Sequence, residues 1–130
     1  MLIKLTHSTD GIHCDCYTCG ARIVIGTKNC QGGHMFPKGG FSGIWLERNN
    51  VRPQCYHCNV NLGGNGAIFA ENMIKEVGQE EYDRLAQVRH REMKLTASEY
   101  DSLTEKFNLE VFELKRKHGL LPTQETWQPF

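Results

Sequence analysis

The sequence lacks a long apolar run and an excess of charge of either sign. A membrane-spanning helix needs about 18 or more apolar residues in succession, and the apolar segment at 1–5 is also too short for a signal peptide. Internal repeats and low-complexity tracts are absent too, which excludes solenoid and compositionally biased architectures. From these absences we expect a cytoplasmic protein whose cysteines are kept reduced.

The balance of charge hides an asymmetry between the two halves of the chain. Fifteen basic and fifteen acidic residues cancel to a net charge of zero, which at first argues against a nucleic-acid partner. Residues 1–65, however, contain six Lys or Arg against three acids, whereas the rest contains nine against twelve. A basic first half suits contact with a phosphate backbone, although ordinary solvated surface explains the same excess.

The length of 130 residues and an apolar content of 39% allow one domain with a modest core. We divide the chain into a metal-dependent core at 1–66, a helical extension at 67–121 and a loose tail at 122–130. The knuckle region of the first part is mostly polar, so a bound metal has to supplement its core. The prediction is an α+β fold whose second half is mainly helical.

Two Cys-x-x-Cys knuckles provide the clearest chemical signal. Each places two sulfurs on the same side of a tight turn, and Cys16 and Cys19 together with Cys55 and Cys58 fit one tetrahedral zinc site. Four sulfurs leave no open position, so this zinc ion is expected to be structural. A gap of 35 residues separates the knuckles, so a further element is built inside it.

Cys14 and Cys30 remain outside this pairing. Cys14 lies close enough to compete for the first knuckle, but Gly20 directly after Cys19 favours Cys16 and Cys19, because glycine allows the positive φ of such a turn. Cys30 is most simply a small buried thiol. Six cysteines also permit a disulfide-linked small protein, which a zinc assay on the reduced protein distinguishes.

Local patterns predict short strands in the first half. The β-branched run indicates a strand at 22–25, and we expect further extended segments at 2–6, 34–36 and 44–46. Residues 26–33 are predicted to form a loop or a hairpin, residues 37–43 a loop and residues 49–54 a connector. A helix is expected at 55–62, ended by the two glycines that follow.

Helical patterns dominate after Asn65. Apolar spacing predicts a helix that ends at Gly78 and a second one at 79–94. Thr96-x-x-Glu99 is a capping box for a third helix, which ends in a basic turn before Gly119. Its apolar stripe indicates core packing or helix pairing and consists of Tyr100, Leu103, Phe107, Val111 and Leu114.

The segment at 31–65 has the order of elements found in HNH nucleases. It contains Gly-Gly-His34-Met, then Asn49-Asn50, then Gln-Cys-x-x-Cys-Asn59, and it closes with Leu-Gly-Gly-Asn65. In these elements the chain closely resembles the NinG/Rap family of lambdoid phage recombination endonucleases, over roughly residues 16–77. The resemblance implies a zinc-stabilised HNH core of the ββα-metal, treble-clef-like type, in a phage protein that acts in a bacterial host.

The resemblance assigns catalytic roles to two residues. His34 takes the place of the general base, a role that suits the pKa of an imidazole. Asn50 takes the place of the asparagine that orients the catalytic loop, and its spacing before Cys55 selects it over Asn49. The alternatives are a turn histidine or a zinc ligand for His34, and an ordinary turn asparagine for Asn50.

A catalytic Mg²⁺ or Mn²⁺ ion needs oxygen ligands, and Asn59 and Asn65 are the candidates. The residue before the histidine is often Asp or His in HNH units but is Gly33 here. The ligand set therefore stays open, with His34 itself or Asp15 as further contributors. Asn65 has the alternative of being an ordinary helix-end residue.

Four basic residues flank the proposed site and are the candidate phosphate contacts: Lys28, Lys38, Arg48 and Arg52. Solvated surface charge is the alternative for each of them. His57 is expected to be exposed, and Trp45 to lie in the core.

These features predict a DNA endonuclease that hydrolyses phosphodiester bonds with the help of a metal ion. The resemblance adds branched recombination intermediates, such as Holliday junctions or D-loops, as substrates. The alternative is a zinc-knuckle module that binds DNA or a protein without cutting, which the missing acid before His34 favours. A homodimer through the C-terminal helices is a further expectation, because junction resolvases cut two strands.

Overall fold

The computed structural model of the chain describes residues 1–37, 43–91 and 93–120. The predictions for Lys38 and for the tail at 122–130 lie outside these residues, as does the one for the Trp45 side chain. The order of elements is α1 (Leu2–Thr6), β1 (His13–Asp15), β2 (Arg22–Val24), β3 (Gln31–His34), two 3₁₀ turns (Gly43–Leu46 and Arg48–Asn50), β4 (Val51–Gln54), a π-type turn (His57–Asn61), α2 (Gly66–Val77), α3 (Gln79–Val88) and α4 (Ala97–Lys117).

The strands of the described chain form two separate antiparallel hairpins. β1 pairs with β2, which confirms the strand predicted at 22–25. β3 pairs with β4, with Gln31 opposite Gln54 and His34 opposite Val51. The π-type turn follows β4 almost directly, so strand, strand and helical turn succeed one another around the second knuckle. The mixed α+β class is confirmed.

The second hairpin differs from the predicted arrangement in its position. β3 begins three residues earlier than the strand predicted to start at His34, and β4 occupies the predicted connector. Propensity rules do not predict this hairpin, because it contains two glycines and a proline, which are poor strand residues. Pro53 fits because β4 is an edge strand, and its carbonyl accepts a 2.8 Å bond from the Tyr17 amide.

Two further predictions of extended structure were wrong. Residues 2–6 form one helical turn, α1, because Leu5 is buried and the turn packs on α4 and β4. Residues 43–46 form a 3₁₀ turn that places Ile44 in the core with no exposed surface. Segments this short carry too little periodicity for the sequence to separate a strand from a single helical turn.

The helices of the second half follow the predicted pattern closely. α2 ends at Gly78, which has a φ of 92°, and Thr96 caps α4 by accepting a 3.1 Å bond from the Glu99 amide. Gly119 follows α4 with a φ of 69°. The exception is α3, which ends at Val88 rather than at the predicted residue 94.

Two apolar clusters make up the core. The first surrounds the knuckles and consists of Cys14, Cys16, Ile23, Cys30, Cys55 and Cys58. The second lies between the chain after β3 and the helices α2 and α3, and it consists of Phe36, Ile44, Phe69, Met73, Leu85 and Val88. Tyr17 connects them, because it lies between the cysteines of the first knuckle and its ring contacts that of Phe69, with centroids 5.2 Å apart and the planes tilted by 57°.

α4 packs on the outside of the molecule, and none of its residues is buried. Arg48 anchors it by an ion pair with Glu110 at 2.6 Å and by a contact 5.3 Å above the Phe107 ring. Its C-terminal end lies against Gly11, where an added Cβ atom would come within 2.6 Å of the His118 Cβ. Most of the predicted apolar stripe is half-buried by these contacts, while Tyr100 stays 53% exposed.

Candidate metal centre and active site

The four knuckle cysteines converge on one point. Their sulfur atoms all lie within 4.8 Å of one another, close to the sulfur separations around a tetrahedral zinc ion with bonds of about 2.3 Å. The first turn is closed by a 2.9 Å bond from the Gly20 amide to the Cys16 carbonyl, and Gly20 has the positive φ, 78°, that this turn was predicted to need. The donor set therefore fits a structural zinc ion.

The protonation of these sulfurs reflects their crowding. Burial raises the pKa of the Cys16 thiol, but hydrogen bonds from the Thr18 hydroxyl and from backbone amides lower it to about 6 overall. The Ala21 amide favours the Cys19 thiolate, but burial and the three neighbouring sulfurs raise its pKa to about 12. One thiolate thus forms readily, and a cation is required to hold four of them together.

Cys14 does not take part in this cluster. Its sulfur lies 3.5 Å from that of Cys30, and burial followed by this contact raises its pKa to about 12. The preference for Cys16 and Cys19 in the first knuckle is confirmed. All six cysteines are free thiols in this structure.

The exposed side chain of His34 lies at the end of β3, and Asn50 fixes the backbone that follows it. The Asn50 Oδ1 accepts a 2.8 Å bond from the Phe36 amide, and its Nδ2 donates a 2.9 Å bond to the Phe36 carbonyl. The Asn50 carbonyl also accepts a 2.9 Å bond from the Met35 amide. The fully buried Asn50 therefore holds the two residues after His34 by three hydrogen bonds.

The neighbouring asparagine has a different environment. The Asn49 side chain donates a 3.2 Å bond to Glu81 of α3 and accepts a longer one, 3.5 Å, from Arg52. It connects the loop to α3, whereas Asn50 acts on the residues beside His34. This difference agrees with the choice of Asn50 over Asn49 from its spacing before Cys55.

One face of the second hairpin carries a group of side-chain amides, which we call the amide face: Gln31, Gln54 and the neighbouring Asn59. Gln31 and Gln54 lie opposite each other on β3 and β4, and the Gln31 Oε1 accepts a 2.9 Å bond from Asn59 in the π-type turn. Gln54 donates to the Gly64 carbonyl at 2.9 Å and to the Thr18 hydroxyl at 3.1 Å. Sequence reasoning missed both glutamines, although Gln54 directly precedes the second knuckle.

Gly33 is surrounded so closely that it has no room for a side chain. A Cβ atom there would lie 1.8 Å from the Oε1 atom of Gln54. The side chain that fills this position therefore comes from the neighbouring strand, which accounts for the absence of an acid before His34.

Asn65 lies at the zinc cluster rather than on the amide face. It adopts a left-handed conformation, with φ 49° and ψ 51°, at the start of α2, and its amide group lies 3.9 Å from the Cys58 sulfur. Asp15 is exposed on β1, opposite Arg22 in the other hairpin. These positions leave Asn59, Gln31 and Gln54 as the side-chain amides grouped at the β3–β4 hairpin that carries His34.

Carboxylates contribute little to this region. Among the described residues, the knuckle cysteines are the one place where three or more His, Cys, Asp or Glu ligand atoms converge. The amide face thus offers hard but neutral oxygens, which suit Mg²⁺ or Mn²⁺ when a substrate phosphate supplies negative charge.

The basic residues proposed for DNA contact differ in their accessibility. Lys28 is exposed, with its Nζ 5.2 Å above the Tyr56 ring, and Arg48 is half-exposed in its ion pair with Glu110. Arg52 is 3% exposed, and its guanidinium bonds Glu76 and two backbone carbonyls. Because the phosphate backbone cannot reach a buried group, we correct the assignment of Arg52, which stabilises the fold instead.

The histidine inside the second knuckle is exposed, as predicted. His57 lies at the start of the π-type turn, and its ring nitrogen contacts the Asn61 amide at 3.3 Å. His57 lies outside β3 and outside the segment that Asn50 holds, so it is a matched control for experiments on His34.

A known protein family matches most of the chain. The family model described as bacteriophage lambda NinG protein matches residues 3–117. No curated protein and no solved structure gives a significant match. No described helix is both long and apolar enough to cross a membrane. Since the matched range includes both knuckles, the amide face and all of α4, the chain belongs to the NinG family.

Proposed function

We propose that this protein is a zinc-stabilised, HNH-type DNA endonuclease that hydrolyses phosphodiester bonds with the help of Mg²⁺ or Mn²⁺. The observation that supports it best is the clamp of Asn50 on the residues after His34. A general base must be held within hydrogen-bond reach of the attacking water. A buried amide that bonds both backbone groups of Phe36 provides this rigidity next to an exposed imidazole.

Each part of the site has a role in this proposal. His34 accepts a proton from the attacking water, and Asn50 positions His34. When bound, the divalent ion stabilises charge on the phosphate and the leaving oxygen. Asn59 is a ligand candidate, because its Nδ2 donates to Gln31 and its oxygen remains an acceptor. The zinc cluster keeps the π-type turn that carries Asn59 against β3.

Branched recombination intermediates are the proposed substrates. The likeness of the motif region to phage recombination endonucleases supports this choice, as does the basic charge of residues 1–65. Lys28 is an exposed candidate for phosphate contact.

Cleavage of matched DNA substrates tests the proposal. A labelled four-way junction and a linear duplex with the same arm sequences are incubated with the zinc-loaded protein, with Mg²⁺, Mn²⁺ or EDTA. We expect metal-dependent cutting of the junction that His34→Ala abolishes and His57→Ala retains. Junction binding by His34→Ala should persist. Equal activity of His34→Ala and parent would contradict the proposal.

A second candidate function is a zinc-knuckle module that binds DNA without cutting it. The neutral amide face favours this candidate, because no carboxylate cluster accompanies His34 among the described residues. It predicts junction binding without cleavage under every metal, and equal binding by parent and His34→Ala. The same assay therefore separates the two functions.

We further propose that α4 pairs with the α4 helix of a second copy in antiparallel orientation. No residue of α4 is buried, and Leu109 is 60% exposed. Acids occur in its first turns and three basic residues, 115–117, in its last turn, so antiparallel helices bring opposite charges together. Light scattering at micromolar concentration should give a dimer that Leu109→Glu converts to a monomer. A monomeric parent would contradict this pairing.

A further inference from the structure

We infer that Gln54 supplies the oxygen ligand that an acid at position 33 would otherwise provide to the divalent ion. The inference rests on the proposed function, because it names one more ligand of the same site. On this inference, the acidic ligand that is missing at Gly33 of β3 is replaced by an amide oxygen from β4.

The first support is the place of the Gln54 oxygen. Gly33 and Gln54 project from the same face of the β3–β4 hairpin. The Gln54 Oε1 lies 1.8 Å from the position of a Cβ atom on Gly33. This distance is shorter than that between the Cβ atom and a carboxylate oxygen within an aspartate. The amide oxygen therefore occupies the space that a carboxylate at position 33 would fill.

The second support is the fixed orientation of the amide. The Gln54 Nε2 donates to the Gly64 carbonyl at 2.9 Å, and a carbonyl can only accept, so the amino group must face Gly64. A second bond, 3.1 Å long, joins Nε2 to the Thr18 hydroxyl. Oε1 is thereby turned towards Gly33. Because Thr18 lies within the first knuckle, zinc binding also orders Gln54.

The third support is that this oxygen has no partner. The Gln54 side chain is fully buried, and its Oε1 is the one buried side-chain N or O atom of the described residues without a hydrogen bond. Buried acceptors are nearly always paired. A cation on the amide face would satisfy it.

The neighbouring groups complete a set of oxygen donors. Gln31 lies directly across from Gln54, and Asn59 contacts Gln31 from the π-type turn. All three are neutral, so we expect the ion to bind weakly to the free protein and more tightly when a DNA phosphate adds charge.

The test relocates the oxygen and measures metal binding rather than cleavage. Gln54→Ala, Gly33→Asp and the double variant are prepared in the His34→Ala background, which prevents cutting. Binding of Mn²⁺ is followed by the electron paramagnetic resonance signal of the free ion, with four-way junction DNA present. Zinc content is measured on every sample, and Gln79→Ala, an exposed amide at the start of α3, is the control.

We expect Gln54→Ala to weaken Mn²⁺ affinity about tenfold or more while zinc content is unchanged. Gly33→Asp alone should unfold at lower temperature, because its side chain meets Gln54. The double variant should regain stability and bind Mn²⁺ at least as tightly as the parent. Gln79→Ala should match the parent.

Several outcomes would overturn the inference. If Gln54→Ala binds Mn²⁺ as the parent does, Gln54 is structural and the proposed nuclease stands unaffected. If the parent binds no Mn²⁺ beside DNA, both ideas fail. Should Gln54→Ala lose zinc, Gln54→Glu takes its place, since glutamate keeps an oxygen towards Gly33. Loss of Mn²⁺ binding by a zinc-loaded Gln54→Glu would also overturn the inference.

Discussion

The two halves of this protein are stabilised by different means. Five cysteines and a single isoleucine make up the buried cluster around the knuckles, whereas aromatic and aliphatic side chains form the cluster between α2 and α3. The first cluster has too little apolar surface to hold its hairpins by hydrophobic burial alone, so we expect it to depend on metal. The second needs no metal and supports the first.

The candidate site lies where these two kinds of core meet. Arg52 of β4 is buried and forms an ion pair with Glu76 of α2 at 3.1 Å, and Tyr17 of the first knuckle donates a 2.6 Å bond to the same carboxylate. The Asn72 amide of α2 also bonds the Tyr17 carbonyl at 2.9 Å. These contacts join the first knuckle and β4 to α2.

The largest effect should come from removing the metal. Cys58→Ser should lose zinc and unfold the hairpins, because structural zinc contributes about 10–16 kcal/mol in zinc-finger peptides at neutral pH. The α4 helix should retain part of the helical circular dichroism. Cys30→Ala, a buried cysteine outside the four-sulfur site, should keep zinc. A folded and zinc-loaded Cys58→Ser would break the comparison.

The apolar half should respond to loss of packing instead. Phe69 is fully buried in α2, and Phe69→Ala should lower the free energy of unfolding by about 3–5 kcal/mol without changing zinc content in the folded fraction. Ile68 precedes it on the exposed side of α2, and Ile68→Ala should stay within about 0.5 kcal/mol of the parent. Urea unfolding measures both, and equal effects would contradict the assigned core.

The clamp on His34 provides a smaller and more local test. Asn50→Ala leaves the Phe36 amide and carbonyl without their partners, at about 1–3 kcal/mol for each group that stays unpaired. Junction cutting should fall together with stability, while zinc content should not. Asn50→Asp keeps the acceptor and should lie between alanine and parent. Asn49→Ala is the control, and cleavage that depends on it more than on Asn50 would reverse the assignment.

The contact between the halves should show in the pH dependence of stability. Burial raises the pKa of Glu76, but hydrogen bonds from Arg52 and Tyr17 lower it overall. A depressed pKa stabilises the fold above the unfolded value of about 4.3 and loses this contribution as pH falls through the folded value.

Glu76→Gln should therefore flatten the loss of stability below about pH 4. At neutral pH it should cost roughly 1 kcal/mol, because solvent screens the partly exposed carboxylate. Thermal unfolding of parent and variant between pH 3 and pH 7 provides the comparison, with the difference between them used so that acid release of zinc cancels. Parallel curves would show that the ion pair contributes nothing.

Sequence reasoning succeeded where the signal is local. The zinc ligands follow from two repeated spacings, and the ends of α2 and α4 follow from Gly78 and from the Thr96 cap. In each case the residues that decide the structure lie within a few positions of one another. Caps and knuckles are local geometry, so neighbouring residues are sufficient to predict them.

It failed where distant residues decide the conformation. Gln31, Gly32 and Gly33 form a strand because β4 provides backbone hydrogen bonds and Gln54 fills the space above Gly33. Arg52 has the charge of a surface residue, yet Glu76 and Tyr17 draw it into the interior. Neither partner is close in sequence, so propensity and charge patterns could not show either result.

By itself, the sequence determined the group of four cysteines that fits a zinc ion, the helices of the second half and the identity of His34 and Asn50 as a candidate pair. Tertiary structure alone decided which side-chain oxygens come together on the hairpin that carries His34. The amides of Gln31, Gln54 and Asn59 come together through strand pairing and a helical turn, and the empty Cβ position of Gly33 is filled from the neighbouring strand. Ligand spacing along one turn is encoded locally, whereas a site assembled across a hairpin exists only once the chain has folded.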